Sequence, residues 1–252
     1  DMKSLFILFI IISFNGFSQS KFILGKSYML FNGKNFDGWH QSYDSQGVER
    51  DLFSIKDGII HAYASQTALS TQSFGGLLTD MEYSNYVLNL EYKWGVKKFK
   101  PREESVRDAG VLFHVFGNEN IWPAGIECQI QEGDTGDLWI VKARASTTVD
   151  PQNKNFDVNG LLVTAGTFAS EYNRFARSYC WEKEGWNKVV LVVKGDNAKF
   201  YMNDHFVNEA IAMKKWDAKL NAWIPLTKGK ILLQAEGSEV FYKNVIIQEI
   251  KE

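Results

Sequence analysis

Residues 86–94 read Tyr-Val-Leu-Asn-Leu-Glu-Tyr-Lys-Trp, and their order decides the fold class. Tyr86, Leu88, Leu90, Tyr92 and Trp94 fall on every second position, with Val87, Asn89, Glu91 and Lys93 between them. A period of two puts the first set on one face of a strand and the second set on the other. An amphipathic helix would need apolar residues at i, i+3 and i+4 instead. Similar short runs recur on both sides: Leu52–Ile55, Ile59–Ala62, Gly76–Thr79, Gly110–Phe116, Ile126–Gln131, Leu138–Arg144, Lys188–Lys194, Lys199–Met202, Lys230–Ala235 and Glu239–Glu249. Turn-forming groups such as Lys56-Asp57-Gly58, Gly195-Asp196-Asn197 and Glu236-Gly237-Ser238 separate them. Val189–Val193 is continuously apolar and reads as a central strand. Many short strands with this punctuation predict an all-β, two-sheet antiparallel sandwich. The polar stretch Ser146–Glu184 is expected to form long loops with at most one helical turn.

The 252 residues divide into a leader and one domain. Met2-Lys3 gives a positive start, Leu5 to Ile12 is apolar, and small residues precede Gln19. That layout is a secretory signal peptide over residues 1–18, behind a leading Asp1, with export to the periplasm or the medium. The apolar run is too short to span a bilayer, so no membrane association is expected after cleavage. Residues 19–252 then form a single β-sandwich, a length one such domain accommodates. A net charge of −2 without a basic stripe disfavours nucleic acid. Aromatic residues make up 14% of the chain, with eight Trp, which suits a β core or a surface that stacks on sugars.

The second informative stretch is Gly125-Ile126-Glu127-Cys128-Gln129-Ile130-Gln131-Glu132-Gly133-Asp134. Alternation puts Glu127, Gln129 and Gln131 on one face and Ile126, Cys128 and Ile130 on the other. A carboxylate and two amides in a row offer the mixed donors and acceptors that sugar hydroxyls need. Gln234 and Glu236 repeat the arrangement on another strand. His114 ends one alternating run, Arg107 and Asp108 stand just before that run, and Lys142 and Arg144 share a face of a third. Trp122, in a loop entering the Glu127 strand, is the candidate for stacking on a sugar ring, while Trp139 is assigned to the core.

Glu132, Asp134 and Asp137 form a local acidic cluster with two readings. A divalent cation such as Ca²⁺ would accept these oxygens, or the segment is a Gly-rich hairpin with exposed acids. The spacing is not that of an EF-hand, and no His/Cys spacing points to zinc. Cys128 and Cys180 are the two cysteines; a buried free thiol and a Cys128–Cys180 disulfide both remain open.

Motifs in order along most of the chain resemble the 3-keto-disaccharide hydrolase family. They include Leu30-Phe31-Asn32-Gly33-Lys34-Asn35-Phe36-Asp37-Gly38-Trp39, Gly75-Gly76-Leu77-Leu78-Thr79, Ala109-Gly110-Val111-Leu112-Phe113 and Ile126-Glu127-Cys128-Gln129-Ile130. Gly136-Asp137-Leu138-Trp139, Gly185-Trp186-Asn187 and Ile231-Leu232-Leu233-Gln234-Ala235-Glu236-Gly237 continue the series. The resemblance implies a concanavalin-like jelly roll with long loops around a concave polar face. It also implies action on glycosides already oxidised at sugar C3 by a partner oxidoreductase. A C3 ketone acidifies the C2 hydrogen, so a base removes that proton, the aglycone leaves C1, and water addition completes a net hydrolysis. Under this reading Glu127 is the base, and His114 is the acid or the group that polarises the ketone. Arg107, Trp122, Gln129, Gln131, Lys142, Gln234 and Glu236 bind substrate, with Glu132, Asp134 and Asp137 as candidates for a metal. Two alternatives use the same residues: a carbohydrate-binding module without turnover, and a retaining glycosidase using Glu127 and Glu132.

Overall fold

Period-two patterning becomes strands throughout the chain. The computed structural model describes residues 23–43 and 51–251, and among these it has eighteen strands and no helix. The expected signal segment lies outside the described residues. In chain order the strands begin β1 (Ile23–Met29), β2 (Trp39–Tyr43), β3 (Phe53–Lys56), β4 (Ile59–Ala62), β5 (Gly75–Thr79) and β6 (Tyr86–Lys98). The middle third holds β7 (Asp108–Phe116), β8 (Ala124–Gln131), β9 (Leu138–Val141), β10 (Arg144–Val149), β11 (Leu161–Ala165) and β12 (Tyr172–Phe175). The last third holds β13 (Asn187–Lys194), β14 (Asn197–Met202), β15 (His205–Asp217), β16 (Ala222–Pro225), β17 (Lys230–Ala235) and β18 (Ser238–Lys251).

All pairings between these strands are antiparallel, and they make two sheets. The larger runs β11-β10-β15-β14-β13-β6-β18-β4-β3, with β1 added on β18 and β16 on β15. The smaller runs β12-β9-β8-β7-β17-β5-β2. One buried cluster fills the space between them. Leu88, Leu90 and Tyr92 of β6 contribute from the larger sheet, and Val111, Phe113, Ile126, Cys128 and Ile130 from the smaller. Phe113 and Phe200 meet edge-on across the two layers, ring centroids 5.8 Å apart. Each such fully buried large side chain contributes roughly 1.5–3 kcal/mol through removal from water.

The architecture is the expected antiparallel jelly roll, and the differences are local. Leu138–Arg144 is not one strand. Lys142 has φ 49°, which breaks the extended run and lets the chain cross from the smaller sheet (β9) to the larger (β10). The stretch expected to be loops with a helical turn carries β11, β12 and most of β10, and its polar residues pair through the backbone. The 13-residue β15 has no clean alternation, because Ala212 sits at φ 51° and its pairings with β14 and β10 shift register. No described helix is long and apolar enough to cross a membrane.

Candidate functional site

Because Ile126, Cys128 and Ile130 are buried between the sheets, Glu127, Gln129 and Gln131 stand on the outer face of the smaller sheet. Register aligns their neighbours. Glu127 is opposite Leu112 on β7 and Trp139 on β9, Gln129 is opposite Gly110, and Gln131 is opposite Asp108. Gln234 of β17 is opposite Gly76 of β5. Over this face lies a cleft of about 420 Å³ lined by Arg102, Asp108, Trp122, Glu127, Gln129, Trp139, Val141, Tyr172 and Glu236.

Two buried carboxyls pair there with one guanidinium, and a third, Glu127, stands close by. Arg102 Nη1 donates to Asp108 Oδ2 at 2.5 Å and to Glu236 Oε2 at 2.7 Å. Trp122 Nε1 donates to Glu236 Oε1 at 2.7 Å. Gln129 Nε2 and Gln131 Nε2 donate to Asp108 at 2.9 and 3.2 Å. Glu127 is different. It is 6% exposed, and no hydrogen bond from a described residue holds its carboxyl. Burial, with Glu236 and Asp108 close by, raises its pKa well above the usual carboxylate range, although Arg102 opposes the shift. Burial and the Asp108 charge likewise push Glu236 up to about 7, against Arg102 and the Trp122 hydrogen bond. Asp108 is raised by burial, and Arg102 pulls it back. Crowding three acids around one cation in a dry place favours keeping a proton in the group.

Two glycines make the arrangement possible. A Cβ on Gly110 would collide with Glu127 Oε1 and Gln234 Oε1, so only glycine lets both side chains lie down against the sheet. Gly76 is pressed by Leu232, whose side chain would be 2.6 Å from a Cβ there. Leu232 joins Leu78, Leu112 and Val115 in a small apolar cluster on this same face.

Of the residues singled out from sequence, the structure brings Glu127, Trp122, Gln129 and Glu236 into the cleft wall. Gln131 reaches the cleft through Asp108, and Gln234 lies beside Glu127, 1% exposed. Lys142 sits at the rim, its Nζ 6.0 Å from the Tyr172 ring centroid and 3.9 Å from Glu171. Arg107 lies elsewhere: it pairs with Glu132 at 2.7 Å and covers Trp94. His114 also lies elsewhere. Its φ of 50° belongs to a bulge in β7, and its Nε2 is 2.9 Å from the carbonyl oxygen of Gly195. Burial pushes its pKa down to about 4, so the ring is a neutral packing group away from the cleft.

Glu132, Asp134 and Asp137 do not converge on a common point. Glu132 belongs to Arg107, while Asp134 and Asp137 are shared by Arg174 and Arg177, Asp137 with no exposure at all. Among the described residues no group of three His, Cys, Asp or Glu is arranged to hold a metal ion. The pairing of Glu127 with Glu132 is likewise not formed, because Glu132 faces Arg107. Cys128 and Cys180 are both free thiols, Cys128 in the inter-sheet core.

The sequence alone gives no role to Arg102, Asp108, Gly110 or Tyr172 and puts Trp139 in the core. Register could have found Asp108 and Gly110, which lie opposite Gln131 and Gln129. Trp139 was assigned to the core by continuing its alternation through Arg144; ending the strand at Lys142 frees it for the cleft, opposite Glu127. Arg102 comes from a loop and Tyr172 from a short edge strand, and neither carries a local signal.

The fold has relatives of known structure. Two Parabacteroides distasonis proteins, each provisionally assigned as a glycosyl hydrolase, superpose on it. One is 21% identical with a TM-score of 0.52, over 89% of this chain and 94% of its own. The other is 18% identical with a TM-score of 0.54, over 90% and 100%. No curated protein matches the chain in sequence. The model of the 3-keto-alpha-glucoside-1,2-lyase-like domain matches residues 27–248, and the chain belongs to that family of carbohydrate-acting jelly rolls.

Proposed function

We propose that this protein cleaves 3-keto-glycosides by elimination at C1–C2 followed by hydration. One observation carries the reading: a buried carboxyl of raised proton affinity, Glu127, has no hydrogen bond from a described residue and stands in an aromatic-walled cleft. A base whose pKa lies near the working pH is the efficient one for removing a weakly acidic C–H proton. In its ionised form Glu127 takes the C2 hydrogen. The C2–H electron pair forms the enolate with the C3 ketone, and Arg102, which lines the cleft, stabilises the negative oxygen. As the enolate collapses, C1=C2 forms and the C1–O bond breaks. The protonated Glu127 returns its proton to the leaving oxygen, so the aglycone departs as an alcohol. Water adding across C1=C2 then yields the free 3-keto sugar. Trp122, Trp139 and Tyr172 supply ring faces for the sugar, and Gln129 and Gln131 hold Asp108, which with Glu236 fixes the guanidinium.

The substrate must come from an oxidoreductase that converts the C3 hydroxyl of a glycoside to a ketone. The leader-like N-terminus supports action outside the cytoplasm, in the periplasm or the medium. The test is mass-spectrometric turnover of a matched pair, a β-glucoside and its 3-keto counterpart, with and without chelator. Release of aglycone from the keto sugar alone is expected. Release from the ordinary glucoside, or from neither, would overturn the reading.

A further inference from the structure

Gln234, buried behind the cleft wall beside Glu127, is anomalous. Its side chain is 1% exposed, yet neither Oε1 nor Nε2 has a hydrogen-bond partner among the described residues. An amide offers two donors and an acceptor with two lone pairs, and burying it with none of them used is costly. Its position explains what the amide is kept for. It lies between two glycines on neighbouring strands, Gly76 across the β5 register and Gly110 on β7. The place where a Gly110 side chain would stand is taken jointly by Gln234 Oε1 and Glu127 Oε1. Among the described residues around the cleft, the amide without a partner and the carboxyl without a hydrogen bond are therefore neighbours, in a space cleared by the missing Cβ.

We propose that Gln234 is the positioning residue for the Glu127 proton, with Gly110 as the gap that lets the two meet. An amide serves both states of a carboxyl. Its Oε1 accepts from the protonated acid, and after a half-turn about the last side-chain bond its Nε2 donates to the carboxylate. Glu127 thereby has a partner at each stage of a cycle in which it takes up and returns a proton, which deepens the reading of Glu127 proposed above and rests on it for the catalytic consequence. The other titratable and charged groups facing Glu127 are Asp108, Glu236 and Arg102 on the cleft side, with Cys128 and Tyr242 behind. Burial raises both Cys128 and Tyr242 well above their ordinary values, so neither changes charge in the acid-to-neutral range where Glu127 is followed. The Tyr242 hydroxyl is engaged with the Gln234 backbone carbonyl at 2.8 Å, which anchors the main chain and leaves the amide free to turn.

The experiment follows the Glu127 carboxyl by NMR in the full chain labelled with ¹³C-glutamate, the signal assigned by its loss in Glu127→Gln. Gln234→Leu removes both bonds, of which the charge-assisted one to the carboxylate is the stronger, and is therefore expected to move the Glu127 titration upward by about half a pH unit or more. Gly110→Ala pushes the carboxyl out toward water and is expected to move it downward. An unmoved Glu127 titration in Gln234→Leu, or a downward shift, overturns the proposal. Should Gly110→Ala not fold, Gln234→Leu decides alone. No substrate enters these titrations, so their failure is distinct from a failure of the turnover assay to show cleavage of a 3-keto sugar.

Discussion

At the scale of the residue, Glu127 and Glu236 are held where their proton affinity is high, and that has a sign in stability. A carboxyl whose pKa is raised on folding binds more protons in the native state than in the unfolded one. Native stability therefore falls as pH rises through the interval between the two values. For Glu236 that interval runs from 4.5 to about 7, and Glu127 acts in the same direction. Glu127→Gln keeps the shape, removes the charge and retains an amide that can still bond Gln234. It is expected to melt above the wild type at pH 7–8 by a few degrees, the shift that about 1 kcal/mol produces in a domain of this size. The gap should close near pH 4.5, and turnover should fall by about 10²-fold or more. Parallel melting curves across that pH range would contradict the placement of Glu127. The Glu127 row was legible from sequence because a period of two assigns faces without knowledge of the partner strands. Its arginine was not legible, since Arg102 reaches Asp108 and Glu236 from a loop, and nothing local in Pro101-Arg102-Glu103 marks it.

At the scale of the element, β7 does two jobs with one strand. Its first half, Asp108 to Leu112, keeps strict register with β8 and builds the acid cluster. Its second half breaks register on both sides, with β8 between Phe113 and Phe116 and with β17 between Lys230 and Leu232. A bulge re-aims the residue within it, and here it turns His114 inward toward Gly195, past the edge of Tyr86. Gly229 closes the bulge from β17's approach, since a Cβ there would run into the His114 backbone. Gly229→Ala should therefore destabilise the fold by about 2–4 kcal/mol, by a backbone collision that no rotamer relieves. His114→Asn, which tolerates positive φ, should cost only about 1–2 kcal/mol and leave kcat within about twofold. Thermal melts with single-substrate kinetics on both variants check this, and a large loss of kcat in a folded His114→Asn would return His114 to the chemistry. The sequence does not display the turn of His114 away from the outer face, because alternation runs unbroken up to Phe113 and the bulge that follows packs against a glycine more than a hundred positions away.

At the scale of the whole molecule, the cleft is only as firm as the core behind it. The outer face of the smaller sheet carries Glu127, Gln129 and Trp139, while the inner face of the same strands carries Ile126, Cys128, Ile130 and Ile140. The site thus has the inter-sheet core as its foundation, and Phe113 is a central contact between the layers through its edge-on meeting with Phe200. The two free cysteines add no covalent tie, so packing and a few hydrogen bonds between the layers, such as Tyr242 Oη to the Gln234 carbonyl, hold the sheets together. Phe113→Ala removes a fully buried ring from that contact, and the cost combines lost burial with an unfilled cavity, about 3–5 kcal/mol. A domain of ordinary stability, about 5–15 kcal/mol, survives such a loss only with a much reduced denaturation midpoint. Denaturant melts should show that drop with the slope unchanged, because the surface exposed on unfolding is nearly the same. Phe113→Leu fills most of the volume and should recover more than half of the loss. If instead Phe113→Ala melted like the wild type, the two layers would not depend on this contact, and the rigidity that keeps Glu127 buried beside Gln234 would need another source.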